Sequence, residues 1–171
     1  MVKFKVTAVA AAMLAFGGVV TTTTAAQAST VQGYVNGFGA VGDDWSDEGV
    51  VSMSQHANSG ATGLWQSVLY ADGLLSATDI DCKFGPKTDA ATRTWQAHNL
   101  GASQADGAVG NKTFGAASSR LHYGGVNVST DSVSYTGTAH QVIYARDLKT
   151  GQYFGITPYV TVSSSYSNGS C

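Results

Sequence analysis

Charge is scarce in this chain. Of 171 residues only 12% are charged, nine are Lys or Arg, and Glu48 is the one glutamate. The charges are scattered, with no basic stripe, so electrostatic capture of nucleic acid or of an anionic polymer has no footing. A single glutamate, held in an acidic loop, also leaves no carboxylate pair set apart as acid and base for glycoside hydrolysis. The four histidines, His56, His98, His122 and His140, make no His-x-His pair and no His-Glu-x-x-His helix. A zinc site would need unrelated segments to converge, and solvated or hydrogen-bonded histidines are the default. Beyond residue 20 there is no second long apolar run, hence no further candidate for a membrane span.

What is present begins with an address. Lys3 and Lys5 precede an apolar run over residues 6–20, and Ala26-Gln27-Ala28 follows as a small-residue exit. This is the pattern of a secretory signal peptide over residues 1–28, cleaved after Ala28. The run is shorter than the roughly 18–20 residues that an uncleaved anchor needs. Cleavage would leave a chain from Ser29 to Cys171 with seven basic and eleven acidic side chains, a formal net charge of −4. That is room for one ordinary domain or a small one with extensions. The expected location is secreted, extracellular or wall-associated, with no membrane partner after cleavage.

Two cysteines in a secreted chain favour one disulfide, and Cys82 with Cys171 is the one intramolecular pairing available. So long a loop would contribute up to about 4–5 kcal/mol in the chain-entropy limit. Two free thiols or an intermolecular pairing are the alternatives.

Residues 29–59 are rich in Gly, Ser, Asp and Asn and read as an irregular extension with brief strands. Within it, Trp45 sits in the acidic run of residues 43–48, outside any apolar periodicity. Either an exposed contact or a small local core would suit it. The run lacks the alternation and the Gly of an EF-hand loop, and no metal or other cofactor is expected. Leu64, Trp65, Val68 and Leu69 then recur at helical spacing before Gly73, marking a first helix. Pro86 suits the first position of a second helix, with Ala91, Trp95 and His98 or Asn99 inward, ending near Leu100-Gly101. Asn111 or a neighbour caps a third, with Phe114, Ala117 and Leu121 inward. Trp65 and Trp95 are expected in the core. Past Leu121 the texture turns to Val, Thr, Ser and Tyr. Residues 140–146 and 152–157 read as a β-hairpin around a Gly-containing loop, residues 159–163 as one more strand after Pro158, and residues 163–170 as flexible by composition.

One pattern occurs twice at a constant offset. Asp81-Cys82-Lys83-Phe84-Gly85-Pro86-Lys87-Thr88 is followed by Asp106-Gly107-Ala108-Val109-Gly110-Asn111-Lys112-Thr113. With Trp65-Gln66 before the first copy, and Ala91 and Trp95-Gln96 between the two, the segment resembles the peptidoglycan-binding domain found beside the catalytic domains of many bacterial wall hydrolases. That family reads approximately Asp-Gly-x-Phe-Gly-x-x-Thr and then Asp-Gly-x-Val-Gly-x-x-Thr in its two loops. The likeness runs from Leu64 to Phe114. Two positions depart from it: Cys82 stands where Gly is usual, and Asn99-Leu100 where Gly-Leu is usual. A Gly at 82 would tolerate a positive φ, so Cys82 implies either a reshaped turn or an angle that is not needed.

The resemblance implies an α+β chain with a three-helix peptidoglycan-binding-like core over residues 60–122, a short irregular N-terminal segment over 29–59 and a β-hairpin-containing extension over 123–171. It implies non-catalytic binding of peptidoglycan, through its glycan or its stem peptide. Most residues of the repeated loops are expected to serve turns and core. Both loops nevertheless precede helix N-termini, where free N–H groups meet carboxylates or acyl groups. Thr88, Asn99, Asp106, Lys87 and Lys112 are the candidate ligands there, and no catalytic or metal-ligating residue is expected. The alternatives are a small wall hydrolase or transpeptidase with an unrecognised site, or a module that binds or inhibits another secreted protein.

Overall fold

The computed structural model describes residues 33–156 and 161–167, with the side chains of Ile156 and Thr161 left aside. The expected signal peptide, Pro158, the start of the last expected strand and Cys171 fall outside these residues.

The first helix, α1 (Gly60–Ala71), starts where the Ser59 hydroxyl accepts the Thr62 N–H. It stops in a Schellman turn: Gly73 adopts φ +73°, its N–H reaches Tyr70 O, and the Leu74 N–H reaches Leu69 O. Eleven of its twelve residues are buried, because α1 has neighbours on more than one side. Helix α2 (Pro86–Asn99) opens on Pro86 behind Gly85 and buries Thr88, Ala91, Thr92, Trp95 and Gln96. Helix α3 (Asn111–Ser118) follows Gly110 and buries Phe114 and Ala117. Gly110 rather than Asn111 is the cap residue, while the Asn111 side-chain oxygen takes the Lys112 N–H.

Five strands follow as an antiparallel meander: β1 (Leu121–Val126), β2 (Thr130–Thr136), β3 (Gln141–Asp147), β4 (Tyr153–Ile156) and β5 (Thr161–Ser163), adjacent in that order. Alternation sends Val133, Tyr135, Val142, Tyr144, Tyr153 and Val162 inward. β1 carries a register shift between Tyr123 and Gly125, where Gly125 takes φ +121°.

The expectation of a three-helix core carrying a hairpin-containing extension is corrected by this sheet. Its inner face and the helices share one main core, in which Leu64, Trp65 and Trp95 are joined with Val133, Tyr135, Val142, Tyr144 and Tyr153. The hairpin of β3 and β4 is present, but it belongs to a continuous five-stranded sheet rather than to an appendage. The N-terminal segment also belongs to the same core. Val35 donates its N–H to Ser164 O and accepts the Tyr153 N–H, so residues 34–37 run alongside β4 and residues 164–165. Trp45 is fully buried, edge-on to Phe114, Tyr144 and Tyr153 with centroids at 6.2, 5.6 and 5.3 Å. Neither an exposed contact nor a small local core describes it.

Two ionic clusters fasten these layers, one buried around Arg146 and one partly buried around Asp72. Arg146 on β3 reaches Asp131 on β2 and, at 2.7 Å, Asp44 of the N-terminal segment, which also accepts the Tyr153 hydroxyl. Burial pushes the Asp44 carboxyl above the usual carboxylate range in spite of the bonds from Tyr153 and Arg146. Asp72, at the end of α1, accepts Trp95 Nε1 at 2.7 Å, the Tyr135 hydroxyl at 2.7 Å, the Thr138 N–H at 2.9 Å and both terminal nitrogens of Arg120. Burial acts to raise its pKa, but these donors outweigh it and the net shift is downward. Removing one partner of the buried Arg146 cluster leaves the others uncompensated, typically at about 3–5 kcal/mol.

Candidate functional site

The repeated sequence is a repeated structure, and its centre in each copy is a buried glutamine on the preceding helix. Gln66 of α1 donates from Nε2 to Asp81 Oδ1 at 2.8 Å, Lys83 O at 3.1 Å and Thr88 Oγ1 at 3.1 Å, while its Oε1 accepts the Cys82 N–H at 2.8 Å. Gln96 of α2 donates from Nε2 to Asp106 Oδ1 at 3.0 Å, Ala108 O at 2.8 Å and Thr113 Oγ1 at 3.1 Å, and its Oε1 accepts the Gly107 N–H at 2.8 Å. Each Asp also accepts the N–H two positions on, from Lys83 and Ala108, at 2.9 Å in both copies. The primary amide is the side chain that can do this, since it offers donors and an acceptor on one planar group. Both glutamines are only 1% exposed, so these bonds are made away from bulk water.

The correspondence extends further. A 3₁₀ turn precedes each loop, Ala77–Asp79 and then Ala102–Gln104, at the same offset as the loops themselves. Each loop also bridges to the N-terminal segment, at Asn58↔Lys83 and at Val51↔Val109. Cys82 and Gly107 share the left-handed backbone, with φ +60° and +78°. The departure at position 82 is thus neither a reshaped turn nor an unneeded angle: cysteine adopts the glycine conformation and bears its strain.

Of the expected ligands, Thr88 is 3% exposed and turned inward to Gln66, which makes it a structural residue rather than a ligand. Asn99 is exposed, and its amide donates to Trp95 O within its own helix. Lys87 is exposed and ion-paired with Asp79 at 2.7 Å. That bond, with those from Ser76, holds the Asp79 carboxyl down at about 2. Asp106 and Lys112 come together. Both line a cleft of about 180 Å³ with Val50, Leu100, Gln104 and Asn111, beside the N-terminus of α3. There Lys112 Nζ donates to Gln104 Oε1 at 3.3 Å, the equivalent of the contact from Lys87 to Asp79. At these equivalent positions the first copy therefore offers Lys87 a carboxylate and the second offers Lys112 a neutral amide. Lys112 has no ion-pair partner among the described residues.

Sequence reasoning did not single out Gln66 and Gln96 as the posts of the loops. The available signal was an uncharged polar residue following Trp on a buried helical face in both copies. Cys82 is not a free thiol. It packs with Ile80 and Val162 in a satellite core, and its expected partner Cys171 is beyond the described residues. His56 Nδ1 lies 2.9 Å from Tyr166 O, His140 stacks on Tyr70 at 4.4 Å, and His98 and His122 are exposed. Among the described residues, no group of three or more His, Cys, Asp or Glu is arranged to hold a metal ion, and no helix is long and apolar enough to cross a membrane. No family model, curated protein or solved structure matches the chain.

Proposed function

We propose that this chain is a secreted, non-catalytic protein that binds bacterial cell-wall peptidoglycan at the cleft beside its second repeated loop. The observation that carries the reading is the asymmetry between the two lysines. Lys87 is compensated by Asp79, whereas Lys112 keeps its charge at the edge of an open cleft. An ammonium beside a helix N-terminus favours a ligand bearing carboxylate or acyl oxygens, the groups that a wall stem peptide presents. Asp106 accepts from Gln96 and from Ala108 N–H, so one face of the cleft is held rigidly, which keeps the ordering cost of binding low. The ordered matches at Trp65-Gln66, Trp95-Gln96 and the two loops supply the choice of peptidoglycan over other acylated or acidic ligands.

The test is sedimentation with purified insoluble peptidoglycan, competed by soluble wall fragments, with the supernatant assayed for released muropeptides. Binding that the fragments reverse, with no release, is the expected result. Recovery no greater than that of a control protein at modest salt would remove the proposal, and muropeptide release would replace it with an enzyme.

A further inference from the structure

A second cleft, of about 290 Å³, is formed by the N-terminal segment and is lined by Asn36, Phe38, Asp43, Asp44, Ser46 and Asp47. Three of these are carboxylates and none is basic. Arg146 meets Asp44 through Oδ2, and the Tyr153 hydroxyl uses the same oxygen. The other oxygen, Asp44 Oδ1, is buried without a hydrogen-bond partner among the described residues, and so is Asn36 Oδ1. Both residues are only 5% exposed. An acceptor left unmade in such a position costs stability, which a ligand donor would recover. Phe38, in contrast, stands 60% exposed beside them.

We propose that this cleft binds a primary ammonium group carried on an alkyl chain, with Asn36 Oδ1 and Asp44 Oδ1 each accepting one of its N–H donors. Asp43 and Asp47 add negative potential, and the face of Phe38 covers the methylenes and the cation. A guanidinium is the poorer fit, because it prefers both oxygens of one carboxylate and Asp44 Oδ2 is already engaged. A hard metal ion is also the poorer fit: Ca²⁺ takes six to eight oxygens, and no metal-holding group of His, Cys, Asp or Glu exists among the described residues. An ammonium needs at most three acceptors.

The experiment titrates the ¹⁵N-labelled full chain with Nα-acetyl-L-lysine methylamide, with its Nε-acetylated counterpart and with CaCl₂. Saturable shifts of the amides of Gly37, Phe38, Asp43 and Ser46 are expected with the free amine, and none with the acetylated compound. Phe38→Ala and Asp43→Asn, both at exposed positions, should each weaken the affinity about threefold and leave the melting temperature unchanged. No saturable shift at these amides, equal shifts from both lysine compounds, or saturation by CaCl₂ at the same amides would each overturn the proposal. None of these outcomes depends on whether the chain sediments with peptidoglycan.

Discussion

In the first copy of the loop, Asp81, Lys83 and Thr88 close around Gln66, and Cys82 turns into a satellite core with Ile80 and Val162 of β5. In the second, Asp106, Ala108 and Thr113 close around Gln96 with the same atoms and nearly the same distances, but a cleft opens beside them. The internal bonding is duplicated and the surroundings are not. One copy is fastened to the sheet, its Lys87 neutralised by Asp79; the other keeps the equivalent Lys112 without an ion pair among the described residues. The posts differ as well. The indole N–H of Trp65 donates to the Thr92 hydroxyl, while that of Trp95 donates to the Asp72 carboxylate, so the helix that carries the second post is tied into the ionic cluster over the sheet. A duplicated scaffold can in this way divide its work, with one copy anchoring and the other free to bind.

The largest effects should come from the posts. Gln66→Ala and Gln96→Ala each leave a loop N–H, that of Cys82 or Gly107, without its acceptor and remove the donor shared by an Asp, a carbonyl and a Thr hydroxyl, at an expected cost of about 3–5 kcal/mol in denaturant unfolding. A loss below about 1 kcal/mol for either one would break the equivalence of the two copies.

Asp72→Asn should cost about 1–3 kcal/mol at pH 7, because the partly buried Arg120 loses its carboxylate partner and the other donors lose a charged acceptor. The pH dependence has a definite sign. The folded pKa of Asp72 is lowered, so its contribution is complete above the ordinary value of 3.8 and is lost as the pH falls through the lower folded value. Asp44, raised by burial, acts in the opposite sense: its contribution is complete below 3.8 and is lost as the pH rises through the higher folded value. Urea midpoints followed from pH 6 to pH 2 should therefore show a shallower acid limb in Asp72→Asn than in the parent. An unchanged limb would detach Asp72 from the stability of the second post.

Smaller effects distinguish the two left-handed positions. At Gly107 φ is already positive, and an added Cβ would meet only the movable side-chain ends of Asp89 and Arg93, so Gly107→Ala should cost about 1–2 kcal/mol. At position 82 the side chain already fits, and only backbone strain is at issue. Under reducing conditions Cys82→Gly should be about 1 kcal/mol more stable than Cys82→Ala. Equal stabilities would mean that the positive φ there carries no strain.

Much of the helical half was legible because its signals are local. Gly73, Pro86 and the spacing of Leu64, Trp65, Val68 and Leu69 each act within a turn or two of helix, whereas the cap at Ser59 was not read. The strands β1 and β2 were not legible. β1 contains Gly124-Gly125 and a register shift, and β2 places Asp131 on its buried face, which spoils the alternation that marks a strand. Asp131 belongs inside because Arg146 lies opposite it on β3, a pairing no local window contains. The burial of Trp45 was hidden for the same reason, since its aromatic neighbours Phe114, Tyr144 and Tyr153 belong to α3 and the sheet, far along the chain. At the candidate site, the repeat pointed to Asp106 and Lys112, which share the cleft, and to Thr88, which does not. Thr88 and Thr113 both face inward to a glutamine, so sequence equivalence could not separate scaffold from surface. The exchange of Asp79 for Gln104, at equivalent positions of the two copies, was the visible sign of the difference between them.

The most direct measurement of that difference is peptidoglycan sedimentation of two single variants, Lys112→Ala and Lys87→Ala, at modest salt and with melting temperatures checked. Division of labour between the copies predicts about a tenfold loss of affinity for Lys112→Ala and less than about a twofold change for Lys87→Ala, with both variants folded. Equal losses, or a loss confined to Lys87→Ala, would contradict it.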